Sequence, residues 1–252
     1  MNAKLYPFKA NLPITLPIFL IVLGGAGCQY NDPLEGQNLV VLVPGCAGDG
    51  FWYNDLRKSV AASQPARTIR TFEWGMPKPL YVLNLQDAKI HAKAEAALAK
   101  AIKSWRDRYP SGRLTLLGHS AGCGVILGSL RRIEKPVGVE NVVLLAPSVS
   151  PDYEISAALR QIAGALHVFY SDDDTLWLGW RTATFGTYDC VHSAAAGKVG
   201  FNAERIDANL RTKLVQHGYE PQFAELGNGG GHFGSLGRKF DERVVAPLVA
   251  RQ

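Results

Sequence analysis

Residues 113–132 read RLTLLGHSAGCGVILGSLRR, and the fold turns on how this stretch is read. Arg113 to Leu117 forms a short aliphatic strand, Gly118-His119-Ser120-Ala121-Gly122 a turn, and a helix that starts within the turn continues from Val125 to Arg132. A strand-to-helix turn this tight drives its central serine into a strained backbone conformation and holds the hydroxyl exposed at the C-terminal end of a sheet. The glycines on either side let neighbouring backbone pass without a Cβ clash. The plain alternative is a small-residue turn that only packs a helix on a sheet. A five-residue pattern is weak by itself, but here a strand precedes it and a helix follows, so Ser120 is the candidate nucleophile.

Outward from this turn, strand and helix signals alternate. Leu39 to Val43 is a continuous aliphatic run ending at Pro44-Gly45, the pattern of a strand buried on both faces. The loop 45–50 follows, and Asn54-Asp55 can cap a helix running to Ala62. Thr68 to Trp74 is a second strand candidate. From Asp87 to Tyr109, Ile90, Ala94, Leu98, Ile102 and Trp105 recur at helical spacing until Pro110 stops the pattern. Asn141 to Leu145 and Leu166 to Tyr170 are further aliphatic strands, separated by a helix candidate from Tyr153 to Ala163. The aromatic-rich segment 176–201 breaks the rhythm and reads as a small cap-like insertion, and a helix from Arg238 to Ala250 closes the chain. Such alternation predicts an α/β fold, a mostly parallel sheet with helices on both faces, in one domain spanning 39–252.

On these residues the chain resembles esterases and lipases of the α/β-hydrolase fold, over roughly Leu39 to the C-terminus. The resemblance implies an order of nucleophile, acid and histidine along the chain. The family's acid lies just past a late strand, where this chain has Ser171-Asp172-Asp173-Asp174, so Asp174 is chosen and Asp173 is the runner-up. A solvated turn, a helix cap or a cation site is the plain reading of three adjacent aspartates. The family's histidine usually precedes the last helix, where His232 stands in Gly229-Gly230-Gly231-His232-Phe233-Gly234. His217 reads as a surface residue, His192 as part of the cap, and His119 as a packing residue aimed away from Ser120. The oxyanion hole implied by the family takes one backbone N–H from Ala121 and one from the loop after the first strand, with Cys46 the choice and Ala47 next. Pro44 stands where the family usually has histidine. The function so implied is cleavage of a carboxylic ester through an acyl-serine intermediate. The same machinery serves an acyltransferase, thioesterase or peptidase, and the fold also carries non-catalytic binding proteins.

With 252 residues, 47% apolar and 19% charged, one sizeable core is expected. The formal charge of +5 includes Lys4 and Lys9 of the leader, and no basic run with interleaved aromatics is present, so nucleic acid is not an expected partner. A small ester or lipid is. No grouping of Cys, His and carboxylates has zinc-site spacing, and no Gly-Lys-Ser/Thr follows the loop at Gly45, so neither metal nor organic cofactor is expected. Residues 1–27 carry two lysines, an apolar run from Leu12 to Leu23 and then Gly24-Gly25-Ala26-Gly27. That is the order of a secretory signal, and the run, with Pro13 and Pro17, is short for a membrane span. Small residues before Cys28 resemble a bacterial lipoprotein signal, although Gly25 stands where such signals usually have Leu. Two readings stay open: lipidation of Cys28 with attachment to a membrane, and simple cleavage at the Gly25-Ala26-Gly27 site. Both predict export, with 28–38 a connector. Cys46 and Cys123 both fall beside the expected site, so a bridge between them is geometrically conceivable, and Cys190 is the remaining cysteine.

Overall fold

A computed structural model describes residues 34–76, 84–174 and 187–250. The leader, Cys28, and the aromatics Trp177, Trp180 and Phe185 lie outside the described residues. Six strands form one sheet: β1 (Asn38–Val43), β2 (Thr68–Thr71), β3 (Arg113–His119), β4 (Asn141–Leu145), β5 (Leu166–Tyr170) and β6 (Leu214–Gly218). They lie in the order β2-β1-β3-β4-β5-β6, and every neighbouring pair is parallel. The helices are α1 (Asn54–Ser63), α2 (Ala88–Arg108), α3 (Ala121–Arg131), α4 (Ser156–Arg160) and α5 (Ala196–Val199). A terminal run follows: an α-turn Arg238–Phe240, a π-helical turn Asp241–Val245 and an α-helix Ala246–Ala250.

The sheet has helices on both faces because its central strands are apolar on both. Leu39, Val41 and Val43 of β1 pack with Leu114 and Leu116 of β3, under Leu98, Ile102 and Trp105 of α2 and Ile126 and Leu130 of α3. The alternate residues Val40, Leu42, Leu117, Val143 and Leu145 face Tyr53, Leu56 and Val60 and the terminal Phe240, Val245 and Val249. Burying one such aliphatic side chain is worth roughly 1.5–3 kcal/mol, so a strand apolar at every position gains most at the sheet centre. α2 begins where the Asp87 carboxylate accepts hydrogen bonds from the amides of Lys89, at 2.8 Å, and Ile90, at 3.3 Å, a side-chain cap for two otherwise unpaired donors. It ends before Pro110.

Several elements differ from the sequence expectations, each for a local reason. β6 was not expected: LVQHG is an edge strand that lies half in solvent and carries no aliphatic run. β2 ends at Thr71 rather than Trp74, yet Phe72 N–H still donates to Leu42 C=O, at 2.8 Å. The helix expected over 153–163 shrinks to α4. The Glu154 carboxylate takes the Ser156 amide at its start, and at its end Ile162 leaves to bridge Val139. Residues 54–55 do not cap α1, because a 3-10 turn, Phe51–Tyr53, leads directly into it. Of the segment expected as a cap, residues 187–201 are described and pack into the domain. Tyr188, Ala195, Ala196 and Phe201 are buried. Tyr188 O–H donates to Glu95 on α2, at 3.1 Å, and Arg132 beyond α3 donates to the same carboxylate, at 2.9 Å. These four side chains belong to the core, while Cys190, Val191, His192 and Val199 are exposed.

Candidate active site

In the order β2-β1-β3 the strand order reverses between β1 and β3, and the carboxyl ends of two parallel strands on either side of such a switch point leave a crevice. The loop after β1 and the turn after β3 both open into it. Ser120, between β3 and α3, has φ 54° and ψ −124°, a conformation that costs a non-glycine residue about 1–3 kcal/mol. Its surroundings hold it there. Ser120 N–H donates to Leu145 C=O, at 2.9 Å, while its own carbonyl accepts from Cys123 N–H, at 3.1 Å, and Ser148 N–H, at 3.3 Å.

The glycines of the turn are required by close approach. A Cβ on Gly122 would sit 2.2 Å from Val43 O and 2.4 Å from Pro44 O, and one on Gly118 would sit 2.8 Å from Ile126 Cδ1. Because both obstacles at Gly122 are backbone, α3 and the loop after β1 would have to separate. Gly122→Ala is therefore expected to destabilise the protein by about 1–3 kcal/mol. Gly229→Ala, where a Cβ meets nothing within 4 Å, should stay within about 0.5 kcal/mol. Parallel urea melts check both, and equal midpoints for the two variants would refute the close-approach account.

Three side chains from distant parts of the sequence meet above the turn. His232 Nε2 lies 3.0 Å from Ser120 Oγ, and His232 Nδ1 lies 2.8 Å from Asp174 Oδ2. All three are buried, with exposures of 7% for Ser120, 6% for His232 and 2% for Asp174. A carboxylate only accepts, so Nδ1 bears the proton and Nε2 presents its lone pair to the serine O–H. Of the three adjacent aspartates, Asp172 and Asp173 are exposed, and Asp174 is the one that reaches His232. Asp174 N–H donates to Ser171 C=O, at 3.1 Å, in the turn that follows β5. His232 sits in a loop tightened by Asn228, whose side-chain oxygen accepts from Gly230 N–H, at 3.0 Å. His192 is exposed, and His217 of β6 stacks on Phe169 of β5 with ring centroids 4.5 Å apart.

The two expected oxyanion donors flank the same crevice. Ala121 opens α3, so its amide has no intrahelical acceptor. Cys46 lies on a turn closed by Gly48 N–H donating to Gly45 C=O, at 2.9 Å, and by Asn84 Nδ2 donating to the Cys46 carbonyl, at 2.8 Å. A Cβ on Gly45 would lie 3.2 Å from Ser120 Cβ, so glycine there lets the loop approach the serine. Cys46, Cys123 and Cys190 form no disulfide with one another. The bridge that sequence allowed between Cys46 and Cys123 is not formed: Cys123 Sγ is buried against Leu145 C=O, at 3.6 Å, and burial pushes its pKa well above the usual thiol range. Trp74 is buried with its N–H on Pro44 C=O, at 2.8 Å. Phe51 and Phe233 are exposed, by 79% and 46%, with Trp52 between them in edge-on contact with both rings. Among the described residues no helix is long and apolar enough to cross a membrane, and no group of three or more His, Cys, Asp or Glu could hold a metal ion.

His119 does more than the packing expected of it. Both its ring nitrogens are hydrogen-bonded, Nδ1 to Tyr53 Oη at 2.9 Å and Nε2 to His232 C=O at 3.0 Å. Its place next to Ser120 was visible in the sequence. The partners come from loops 66 residues upstream and 113 residues downstream, and no local pattern announces them.

A family model described as "Alpha/beta hydrolase of unknown function (DUF900)" matches residues 60–178. No curated protein matches the chain. Among solved structures, an esterase from Pyrococcus furiosus is similar with a TM-score of 0.56 at 12% identity, covering 86% of this chain and 84% of the other. An α/β serine hydrolase without a lid from Xanthomonas campestris has a TM-score of 0.47 at 14% identity, with 89% and 86% covered. A cutinase-like protein from a Cryptococcus species has a TM-score of 0.46 at 14% identity, with 85% and 93% covered. Together with the parallel sheet and the turn at Ser120, the family-model match and the likeness to the Pyrococcus furiosus esterase establish that the chain has the α/β-hydrolase fold.

Proposed function

We propose that this protein is a serine hydrolase that cleaves carboxylic esters through an acyl-serine intermediate. The observation that carries the reading is the continuous hydrogen-bonded row from Ser120 Oγ through His232 to Asp174 Oδ2. Ser120 Oγ attacks the carbonyl carbon as its proton passes to His232 Nε2, and Asp174 fixes the tautomer and stabilises the imidazolium. The carbonyl oxygen takes up the negative charge, and the amides of Ala121 and Cys46 are the donors assigned to it. When the tetrahedral adduct collapses, the C–O bond to the alcohol breaks and His232 returns its proton to the leaving oxygen. Water, deprotonated by His232, then attacks the acyl carbon, and the bond to Ser120 Oγ breaks as His232 returns the proton to that oxygen and the acid is released. These steps draw on the named residues, the ester and water alone. The exposed aromatic rim of Phe51, Trp52 and Phe233 beside His232 favours a small-molecule ester with an apolar portion. Export, with Cys28 as a lipidated N-terminus or with simple cleavage of the leader, is part of the same reading.

The test is labelling of the purified mature protein with a fluorophosphonate probe, followed by peptide mass mapping, beside turnover of nitrophenyl esters from short to long chains. Modification is expected on Ser120, and the chain-length profile separates esterase from lipase. A protein that neither labels nor turns over any ester would instead be a binding protein on this fold.

A further inference from the structure

Donor and acceptor roles around His119 can be assigned without ambiguity. A carbonyl oxygen cannot donate, so the contact with His232 C=O places the proton of His119 on Nε2. Its Nδ1 is then an acceptor, and Tyr53 O–H must be the donor to it. The Tyr53 oxygen in turn accepts from Gly45 N–H, at 2.8 Å. The result is one directional chain, Gly45 N–H to Tyr53 O–H to His119 Nε2–H to His232 C=O. It runs from the loop after β1, through the residue preceding the nucleophile, to the backbone of the residue that contacts the nucleophile. His119 and Tyr53 are almost wholly buried and meet edge to face, with centroids 5.6 Å apart. Burial lowers the His119 pKa to about 3, with His232 nearby adding to the effect, and raises the Tyr53 phenol well above its ordinary value. Both groups therefore keep their protons in place across the working pH range.

We propose that Tyr53 and His119 are positioning residues for the hydrolysis assigned above, a latch that fixes the loop at Gly45-Cys46 and the His232 loop relative to Ser120. The inference rests on that functional reading. The turn between β3 and α3 is rigid, but the two groups that must converge on Ser120 come from loops, and displacements of about 1 Å in such groups cost as much as 100-fold in rate. The latch ties both loops to the same rigid point. It acts on the placement of reacting groups and makes no contact with the ester, so it governs kcat and labelling rate and leaves substrate binding alone.

Tyr53→Phe removes one oxygen and keeps the ring. It is expected to lower kcat and the rate of Ser120 phosphonylation together, by about 10-fold or more, with KM within about 2-fold of the wild type. His119→Phe should behave alike. The double variant should be little slower than the slower single, because either change breaks the same chain. His119→Gln, which again offers a donor and an acceptor, should recover much of the rate lost in His119→Phe, and it carries the test if Tyr53→Phe does not fold. Unaltered kcat in folded Tyr53→Phe, a loss confined to KM, or Gln no better than Phe at 119 would overturn the latch and leave the hydrolase reading standing. A wild-type protein without labelling or turnover would instead remove the reading and the latch with it.

Discussion

Asp174→Asn is expected to lower kcat by about 10⁴-fold with the fold and KM retained. The amide has nearly the shape of the carboxylate, but it can turn an N–H toward His232 Nδ1. That nitrogen then becomes the acceptor, the proton moves to Nε2, and Nε2 can no longer accept from Ser120 Oγ, 3.0 Å away. Asp172→Asn and Asp173→Asn should change kcat by less than about 2-fold, since both side chains are exposed and surface substitutions away from special features have small effects. Steady-state kinetics on one nitrophenyl ester for the three variants decides between them. A large loss in Asp173→Asn with Asp174→Asn near wild type would reassign the acid to the neighbour that sequence left as runner-up.

The aspartates show where sequence reading was strong and where it needed the fold. Three identical residues in a row look alike to any local rule, and only the resemblance's spacing after β5 favoured the third. In space they are unlike: the turn after β5 buries Asp174 and leaves Asp172 and Asp173 in solvent. β4 and β5 were legible to the residue because they are apolar on both faces and bounded by polar or turn residues. β6 was not legible, because an edge strand keeps one side in water and tolerates Gln216 and His217. Ser120 and His232 could be placed from their settings, a strand-turn-helix and a glycine loop. The hydrogen bonds of His119 could not, because their partners lie far away in the chain and nothing local distinguishes a latched histidine from a packed one. The cysteines teach the same lesson from the other side, since Cys46 and Cys123 fall beside one site in the sequence and yet form no disulfide with each other.

Asp241 was invisible as anything but an early residue of the last helix, and it carries the largest expected effect on stability. It is 0% exposed at the start of the π-helical turn, and neither carboxyl oxygen has a hydrogen-bond partner. Burial, with the charges of Asp55 and Glu242 adding to it, raises its pKa to about 8. The folded protein therefore holds Asp241 protonated at neutral pH while the unfolded chain releases that proton near pH 4. The sign follows by linkage: the folded state binds the extra proton, so stability is greatest below about pH 4, falls as pH rises, and levels off above about pH 8. At pH 7 the cost reaches about 4 kcal/mol, from about 1.4 kcal/mol for each pH unit between 4 and 7. Asp241→Asn removes the titration and keeps the size, and is expected to stabilise the protein by about 2–4 kcal/mol at pH 7, the buried amide offsetting part of the gain. The difference from wild type should shrink steadily toward pH 4. Urea melts of both proteins from pH 4.5 to 9 measure it, and a difference that does not vary with pH would show that Asp241 is already ionised in the folded chain and paired through a shift of the π-helical turn.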